Sequence, residues 1–442
     1  MLLETLFNLL NAFWVGKLGT LAFAAVNLAS FTVWLLFALA AIVTTGTNSV
    51  VAQRIGAGDP VQARRAAHVG ILTSFCLGVV VAFPVLLFSD DLLGWMAGNT
   101  PEGREAVRIG TGYLGLIFLW APIHCLNDTL SAIFRAAGDT RTPLRVYAFG
   151  FAVNFVLDPL LIFGLGPFPR LEVVGAALAT NLSFTLVTVL YVTRLKDLPF
   201  QLGRRPGEDL RKVFSRHWLY EILRIGIPPS IAFVTFCLVY MLIAPIVGAF
   251  GPAALAALGI GHRCESLSYL VCHGLSLAAI TLVGQNIGAG ELERARRAAW
   301  VAVRIVMLAS LGTTTLYLVG APLWVSLFSS DPEVLAVGVP YLRIMAFAQL
   351  PMGVAMVLQG AFSGAGVTVP PTIVATTSAL LRVPLARWLA LTNGLGLNSI
   401  WWAIVGLTSL QSLVMAALFH AGLWRKGGRR LEPPSNPTGG TP

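Results

Sequence analysis

Residues 28–43 read LASFTVWLLFALAAIV, sixteen positions without a charge. About a dozen comparable apolar stretches follow along the chain, and a helix needs roughly 20 such residues to cross a ~30 Å hydrocarbon core. No other feature restricts the fold so severely. A backbone in lipid must satisfy its own hydrogen bonds, which leaves α-helices or closed barrels, and barrel strands would show short alternating runs instead. The expected class is an all-α polytopic membrane protein. Composition agrees: 56% of residues are hydrophobic and 11% charged, against about 25% charged in a soluble domain. The net charge of +10 sits in short loops between apolar runs, where it orients helices. The partner it implies is the lipid bilayer, with no role for nucleic acid. The five cysteines are scattered and never spaced CxxC, so they read as small apolar residues and imply neither a metal site nor a disulfide framework.

The chain repeats itself. VAQRIGAGDPVQARRAA (51–67) returns as VGQNIGAGELERARRAA (283–299), with 11 of 17 positions identical. The offset (285 − 53 = 232) also carries VGKLGTLAFAAVNL (15–28) onto VGAFGPAALAALGI (247–260). With a drift to 228, FRAAGDTRTP (134–143) falls on FSGAGVTVPP (362–371). Such a repeat defines architecture before any other feature. It predicts two six-helix lobes related by pseudo-two-fold symmetry, twelve transmembrane helices in all. The spans are expected near 1–15, 22–50, 66–88, 107–134, 144–163 and 173–193, then 219–247, 253–282, 298–328, 334–361, 372–391 and 399–423. Six is even, so the halves enter from the same side as parallel repeats. Domain boundaries follow: an N-terminal lobe at 1–193, a linker at 194–218, a C-terminal lobe at 219–423 and a disordered tail at 424–442.

Arg54, Arg64, Arg65, Arg135, Arg141, Arg145, Arg294, Arg296 and Arg297 share one side with the basic linker and the WRKGGRR tail. That side is expected to be cytoplasmic, which puts both copies of the repeated phrase, the linker and the C-terminus there. The offset places Met1 opposite Phe233, well inside the seventh span. The first helix is therefore expected to be truncated, with its start missing. In the repeated phrase, the IGAG glycines suit a sharp turn between spans, and the arginines that follow suit anchoring at lipid headgroups. Neither copy continues into a nucleotide-binding loop, and no cofactor is expected.

FNLLNAFWVGKLG, VAQRIGAG, FRAAGDTRTP, NFVLDP, GAALAT, VGQNIGAG and LRVPLARWLA resemble, in order and spacing, the motifs of the MATE family of bacterial multidrug and toxic compound extrusion transporters. The resemblance spans essentially the whole chain. It implies a twelve-helix transporter of two lobes, resident in the bacterial inner membrane and acting as a monomer. It also implies export of organic, cationic small molecules by antiport with H⁺ or Na⁺ through alternating access.

Ionisable groups inside spans are costly, and each is a functional candidate. Asp158 lies in NFVLDP four residues after Asn154, so the two share a helix face, and Pro159 loosens the helix beside them. The resemblance makes this pair part of a cation-coupling site, with Thr180 of GAALAT nearby. Na⁺ would be held by Asp158, Asn154, Asn11 and Thr180. Asn11 stands where the family motif carries an aspartate. An asparagine offers a carbonyl but cannot bind and release a proton. Glu4, Asn8 and Asn11 form one stripe, so Glu4 either takes over the titrating role or serves structure alone. In the second half, His262, Glu265, Tyr269, Cys272 and Ser276 recur at helical spacing. Glu265 matches a family glutamate and, with Tyr269, is a candidate for cationic substrate or a second proton, against simple pairing with Arg382 or Arg263. His124 and His273 read as packing residues. Trp14, Trp34, Phe37, Trp120 and Trp401 read as lipid-facing or interfacial.

Two other functions compete. A lipid-linked precursor flippase would line its cleft with arginines, and Arg263, Arg382 and Arg387 allow it, whereas IGAG and NFVLDP oppose it. A membrane-embedded enzyme lacks any nucleophile–base motif, metal spacing or nucleotide loop.

Overall fold

The computed structural model describes residues 13–97, 101–200 and 215–430. Twelve α-helices follow one another there: α1 (Thr20–Gly56), α2 (Pro60–Ala97), α3 (Pro101–Leu119), α4 (Ala121–Ala136), α5 (Arg141–Phe163), α6 (Glu172–Arg194), α7 (Arg216–Gly248), α8 (Pro252–Gly288), α9 (Leu292–Ser326), α10 (Pro332–Gly364), α11 (Val369–Arg387) and α12 (Asn398–His420). Ten are each long and apolar enough to cross a membrane, and α3 with α4 makes an eleventh span bent by 50°. The break at Trp120 has a local cause: Pro122 has no N–H to donate back across the bend. The first expected span begins outside the described residues, and so do Glu4 and Asn11; residues 13–16 are helical. With that span the architecture is the twelve-helix, two-lobe plan expected from the repeat. The helices overrun the apolar windows at their polar ends, as α1 does through Gln53 and Arg54 to Gly56. A helical ladder does not stop where hydrophobicity stops.

The chain divides into two compact units, residues 1–51 with 60–230, and 52–59 with 231–442. In the first, Leu36, Leu93, Leu114, Phe118 and Ile162 form a buried core. Here α1 and α7 approach through reciprocal glycines. A Cβ on Gly46 would lie 2.1 Å from the Ile222 carbonyl oxygen, and one on Gly226 would lie 1.7 Å from that of Ile42. Small residues of this kind let helices associate in lipid, where apolar surface alone supplies no drive. The second unit has one buried cluster around Tyr317, Tyr341 and Trp401 and another around Phe362, Phe419 and Trp424.

The repeated phrase does two things that the sequence merges into one. Its second glycine makes the turn: Gly58 (φ 69°) and Gly290 (φ 76°) are left-handed. Both sit in the same helix-ending pattern, with Asp59 N–H donating to Arg54 O at 3.0 Å and Glu291 N–H to Asn286 O at 2.9 Å. Gly138 and Gly366 end α4 and α10 the same way. The first glycine packs. A Cβ on Gly56 would stand 1.9 Å from the carbonyl oxygen of Gln285, and one on Gly288 would stand 1.9 Å from that of Gln53. The ends of α1 and α8 therefore cross backbone against backbone within the second unit, and Gln53 Nε2 donates to Gly364 O at 2.7 Å.

The arginines after the first copy differ from the expectation of paired headgroup anchors. Arg65 is exposed, but Arg64 is 6% exposed, because consecutive positions on α2 point about 100° apart. At the start of α5, Asp139 Oδ1 accepts from the backbone amides of Arg141 and Thr142, both at 2.9 Å. Burial alone would raise its carboxyl pKa, but bonds from Thr142 and Arg141 and the nearby Arg145 charge outweigh it and hold the pKa below the usual carboxylate range. The tail expected to be disordered from 424 begins instead as a 3₁₀ turn, Leu423–Arg430. Trp424 is fully buried there, stacked on Phe419 at 5.2 Å with its Nε1 donating to Phe419 O. An indole seated this way holds the chain against the unit.

Candidate functional site

Asp158 and Asn154 lie on α5, both fully buried. Asn154 Nδ2 donates to Asp158 Oδ1 at 3.1 Å, as the four-residue spacing predicts. The other two oxygens, Asn154 Oδ1 and Asp158 Oδ2, are buried acceptors with no hydrogen-bond partner among the described residues. No lysine or arginine pairs with Asp158 among those residues either. Helix α6 runs antiparallel along α5. A Cβ on Gly150 would meet Val187, and one on Gly175 would meet the Leu161 carbonyl. That register puts half-buried Thr180 at a depth between Asn154 and Asp158.

A polar network between α4 and α6, missed by sequence reasoning, belongs to the same unit. His124 Nε2 bonds Asn181 Oδ1 at 3.1 Å, while its ring sits 4.5 Å from that of Phe184. Asn127 Nδ2 donates to Phe184 O at 3.0 Å and its Oδ1 accepts from Thr188 at 3.1 Å. Tyr147 Oη approaches Asp128 Oδ1 at 3.4 Å. Two signals were available: His124 and Asn127 are three residues apart, and Asp128 is an acid inside a span, the criterion that selected Asp158.

In the second unit the stripe on α8 meets Tyr240 of α7, Ser310 of α9 and Tyr341 of α10. Tyr341 Oη donates to Glu265 Oε1 at 3.2 Å. Tyr341 stands edge-on to Trp401 at 4.6 Å, and Tyr240 edge-on to His262 at 4.4 Å. Arg382 is 5% exposed. Its Nη2 donates to Thr408 at 3.0 Å and its guanidinium lies 5.9 Å from the Phe236 ring centroid. Among the described residues Glu265 forms no ion pair with Arg382 or Arg263; its polar partner is Tyr341. Tyr269 stacks on His273 at 5.9 Å, farther along α8. Trp401 is fully buried rather than lipid-facing, and it is Trp402, 50% exposed, that turns outward. Trp34 is 58% exposed, whereas Trp120 Nε1 donates to Thr185 at 3.0 Å and Trp14 meets Phe163 edge-on.

A family model for MatE matches residues 1–160 and again 228–388. The chain belongs to the MatE family. The two matched blocks fall on the two halves of the duplication. This MatE chain is 29% identical to the probable multidrug resistance protein NorM of Thermotoga maritima, an alignment covering 96% of the chain and 90% of that protein. It is 30% identical to an FAD transporter of Shewanella oneidensis, across 81% of the chain and 77% of that protein. Among solved structures, a multidrug resistance MATE family transporter in an outward-facing conformation superposes with a TM-score of 0.87 at 27% identity, covering 96% of this chain and 91% of that one. A MOP superfamily transporter from Pyrococcus furiosus, described as having a binding pocket of reverse polarity, gives 0.87 at 25% identity, covering 97% and 93%. This MatE chain is therefore a multi-pass membrane transporter of the compound-efflux class and not an enzyme.

Proposed function

We propose that the protein exports organic, cationic small molecules by antiport, with H⁺ or Na⁺ bound at Asp158 and Asn154 driving alternating access of the two lobes. The observation that carries this reading is the pair of buried oxygens, Asn154 Oδ1 and Asp158 Oδ2, that receive no donor. A buried carboxylate without a counter-charge costs several kcal/mol, so Asp158 carries either a proton or a cation. Thr180 adds a hydroxyl oxygen at the same depth, and an all-oxygen set suits a hard monovalent cation as well as a proton. Asn11 and Glu4, both outside the described residues, complete the site in this reading. The ion moves the lobes only through a difference in its affinity for two arrangements.

In this reading the linker and C-terminus face the cytoplasm of a bacterial inner membrane, which the basic loops support, and we take the monomer as the working unit. Efflux of a fluorescent cation such as ethidium from proteoliposomes separates the ions. A proton gradient without sodium, or a sodium gradient at equal pH, is expected to accelerate export. Equal export with neither gradient would overturn the antiport reading.

A further inference from the structure

Helices α3 and α4 form the one bent span among the described residues, broken by 50° at Trp120. Pro122 opens the break, yet proline alone does not hold it. Helix α10, the counterpart in the second half, carries Pro340 and Pro351 and runs unbroken from Pro332 to Gly364. Side chains of α6 hold the break. Asn181, fully buried, donates from Nδ2 to Leu116 O on α3 at 2.9 Å and bonds His124 Nε2 on α4 through Oδ1 at 3.1 Å. One amide thus grips both sides. It takes up a carbonyl that the helix's own ladder reaches only at 3.4 Å, from Trp120 N, and it fixes the His124 proton on Nε2. One turn on, Trp120 Nε1 donates to Thr185 Oγ1 at 3.0 Å, and that hydroxyl donates to Asn181 O at 2.7 Å.

The same bonds set the rotation of α6. At about 100° per residue, Asn181, Thr185 and Thr188 fall within about 60° of one another, on the side that meets α3 and α4; Thr188 there bonds Asn127. Thr180 stands about 100° from Asn181 and about 20° from Val187, the residue that packs on Gly150 of α5. The grip on the break therefore aims Thr180 at α5, at the depth of Asn154 and Asp158. A turn of α6 by about 20° would swing a side-chain atom about 5 Å from the axis by roughly 2 Å, enough to break a hydrogen bond. The repeat offset of 228 puts Ala386 opposite Asp158, so the half with the unbroken helix is also the half without this acid.

We propose that Asn181 is a positioning residue of the ion site: by clamping the broken span α3–α4 to α6, it holds the Thr180 hydroxyl toward Asp158 and Asn154. The inference rests on the reading of Asp158 as the site of the coupling ion. It joins the break to that site, since a movement of α3 against α4 reaches Thr180 through one side chain.

Labelling of Asp158 by dicyclohexylcarbodiimide makes the test, because this apolar reagent attacks protonated carboxyls inside a membrane and a bound cation protects them. The peptide that holds Asp158 is followed by mass spectrometry on the full-length protein in lipid nanodiscs, against pH without sodium and against sodium at fixed pH. Thr180→Ala and Asn181→Ala are each expected to raise the proton or sodium concentration at half-effect by about three- to tenfold, the scale of one hydrogen bond. In the Thr180→Ala background, Asn181→Ala is expected to add nothing, because it acts through Thr180; a merely structural residue would act equally in both backgrounds. Should Asn181→Ala fail to fold, the nearly isosteric Thr185→Val, which releases Trp120, carries the same expectation with a smaller shift. A midpoint that does not move in Thr180→Ala or in whichever clamp variant folds overturns the proposal and leaves Asp158 as the ion site. So does a shift that persists undiminished beside Thr180→Ala. A wild-type Asp158 indifferent to both ions overturns the ion site and the proposal together. Labelling needs no transport, so a protein that exports no dye but keeps these shifts loses the export reading and retains the clamp.

Discussion

Asp158→Asn is expected to reduce ion-driven export to the level of empty vesicles while leaving the protein folded. Asparagine has nearly the shape of aspartate, and Asn154 Nδ2, now 3.1 Å from Asp158 Oδ1, would still find an oxygen there. The new amide also brings a donor into a pair whose Asn154 Oδ1 has none in the native arrangement. Removing a fully buried carboxylate also removes a desolvation cost. Stability therefore holds or rises. What disappears is the charge. To shift a two-state transporter from 1:99 to 99:1, an ion must prefer one state by about 10⁴-fold, roughly 5.5 kcal/mol. A neutral amide that neither binds a proton nor offers a formal charge supplies little of that. Thermal unfolding and efflux under an imposed gradient are measured on the same preparation. Parental efflux would remove Asp158 from coupling, and a variant that fails to insert would show its role to be structural.

The parts of this protein legible in its sequence are those decided within one helix. Asn154 and Asp158 meet because residues four apart share a face, and Gly58 turns because a left-handed position favours glycine. What was not legible depends on which backbone arrives from elsewhere. Nothing local in LRVPLARWLA says that Arg382 ends beside Thr408 of α12 and Phe236 of α7 while Glu265 is taken by Tyr341 of α10. Likewise Trp401 and Trp402 are adjacent and chemically identical; only the packing of α12 against Tyr341 decides which is buried and which is exposed. The His124–Asn181 network was half visible, as polar residues at helical spacing on α4, but its partner helix was not.

The first glycine of each repeated phrase offers the second large effect. Gly56→Ala places a methyl 1.9 Å from the Gln285 carbonyl oxygen, and Gly288→Ala does the same at Gln53. The obstacle is backbone in both cases, so no rotamer change relieves it and the ends of α1 and α8 must separate. Overpacking of this kind costs about 1–3 kcal/mol, partly offset by the ~1 kcal/mol that alanine gains over glycine in a helix. Each single variant is expected to unfold at a lower temperature than the parent. The double variant is expected to lose less than the two losses added, because helices already pushed apart by one methyl accommodate the second. Gly58→Ala is the contrast. Its Cβ would meet nothing within 4 Å, yet its φ of 69° carries a strain of about 1–2 kcal/mol for alanine. That loss is local, so it should add fully to that of Gly56→Ala. Unfolding temperatures of the four variants and the Gly56→Ala/Gly58→Ala double, in one lipid mixture, decide it. If the Gly56→Ala/Gly288→Ala pair is as additive as the Gly56→Ala/Gly58→Ala pair, the two glycines do not serve one crossing.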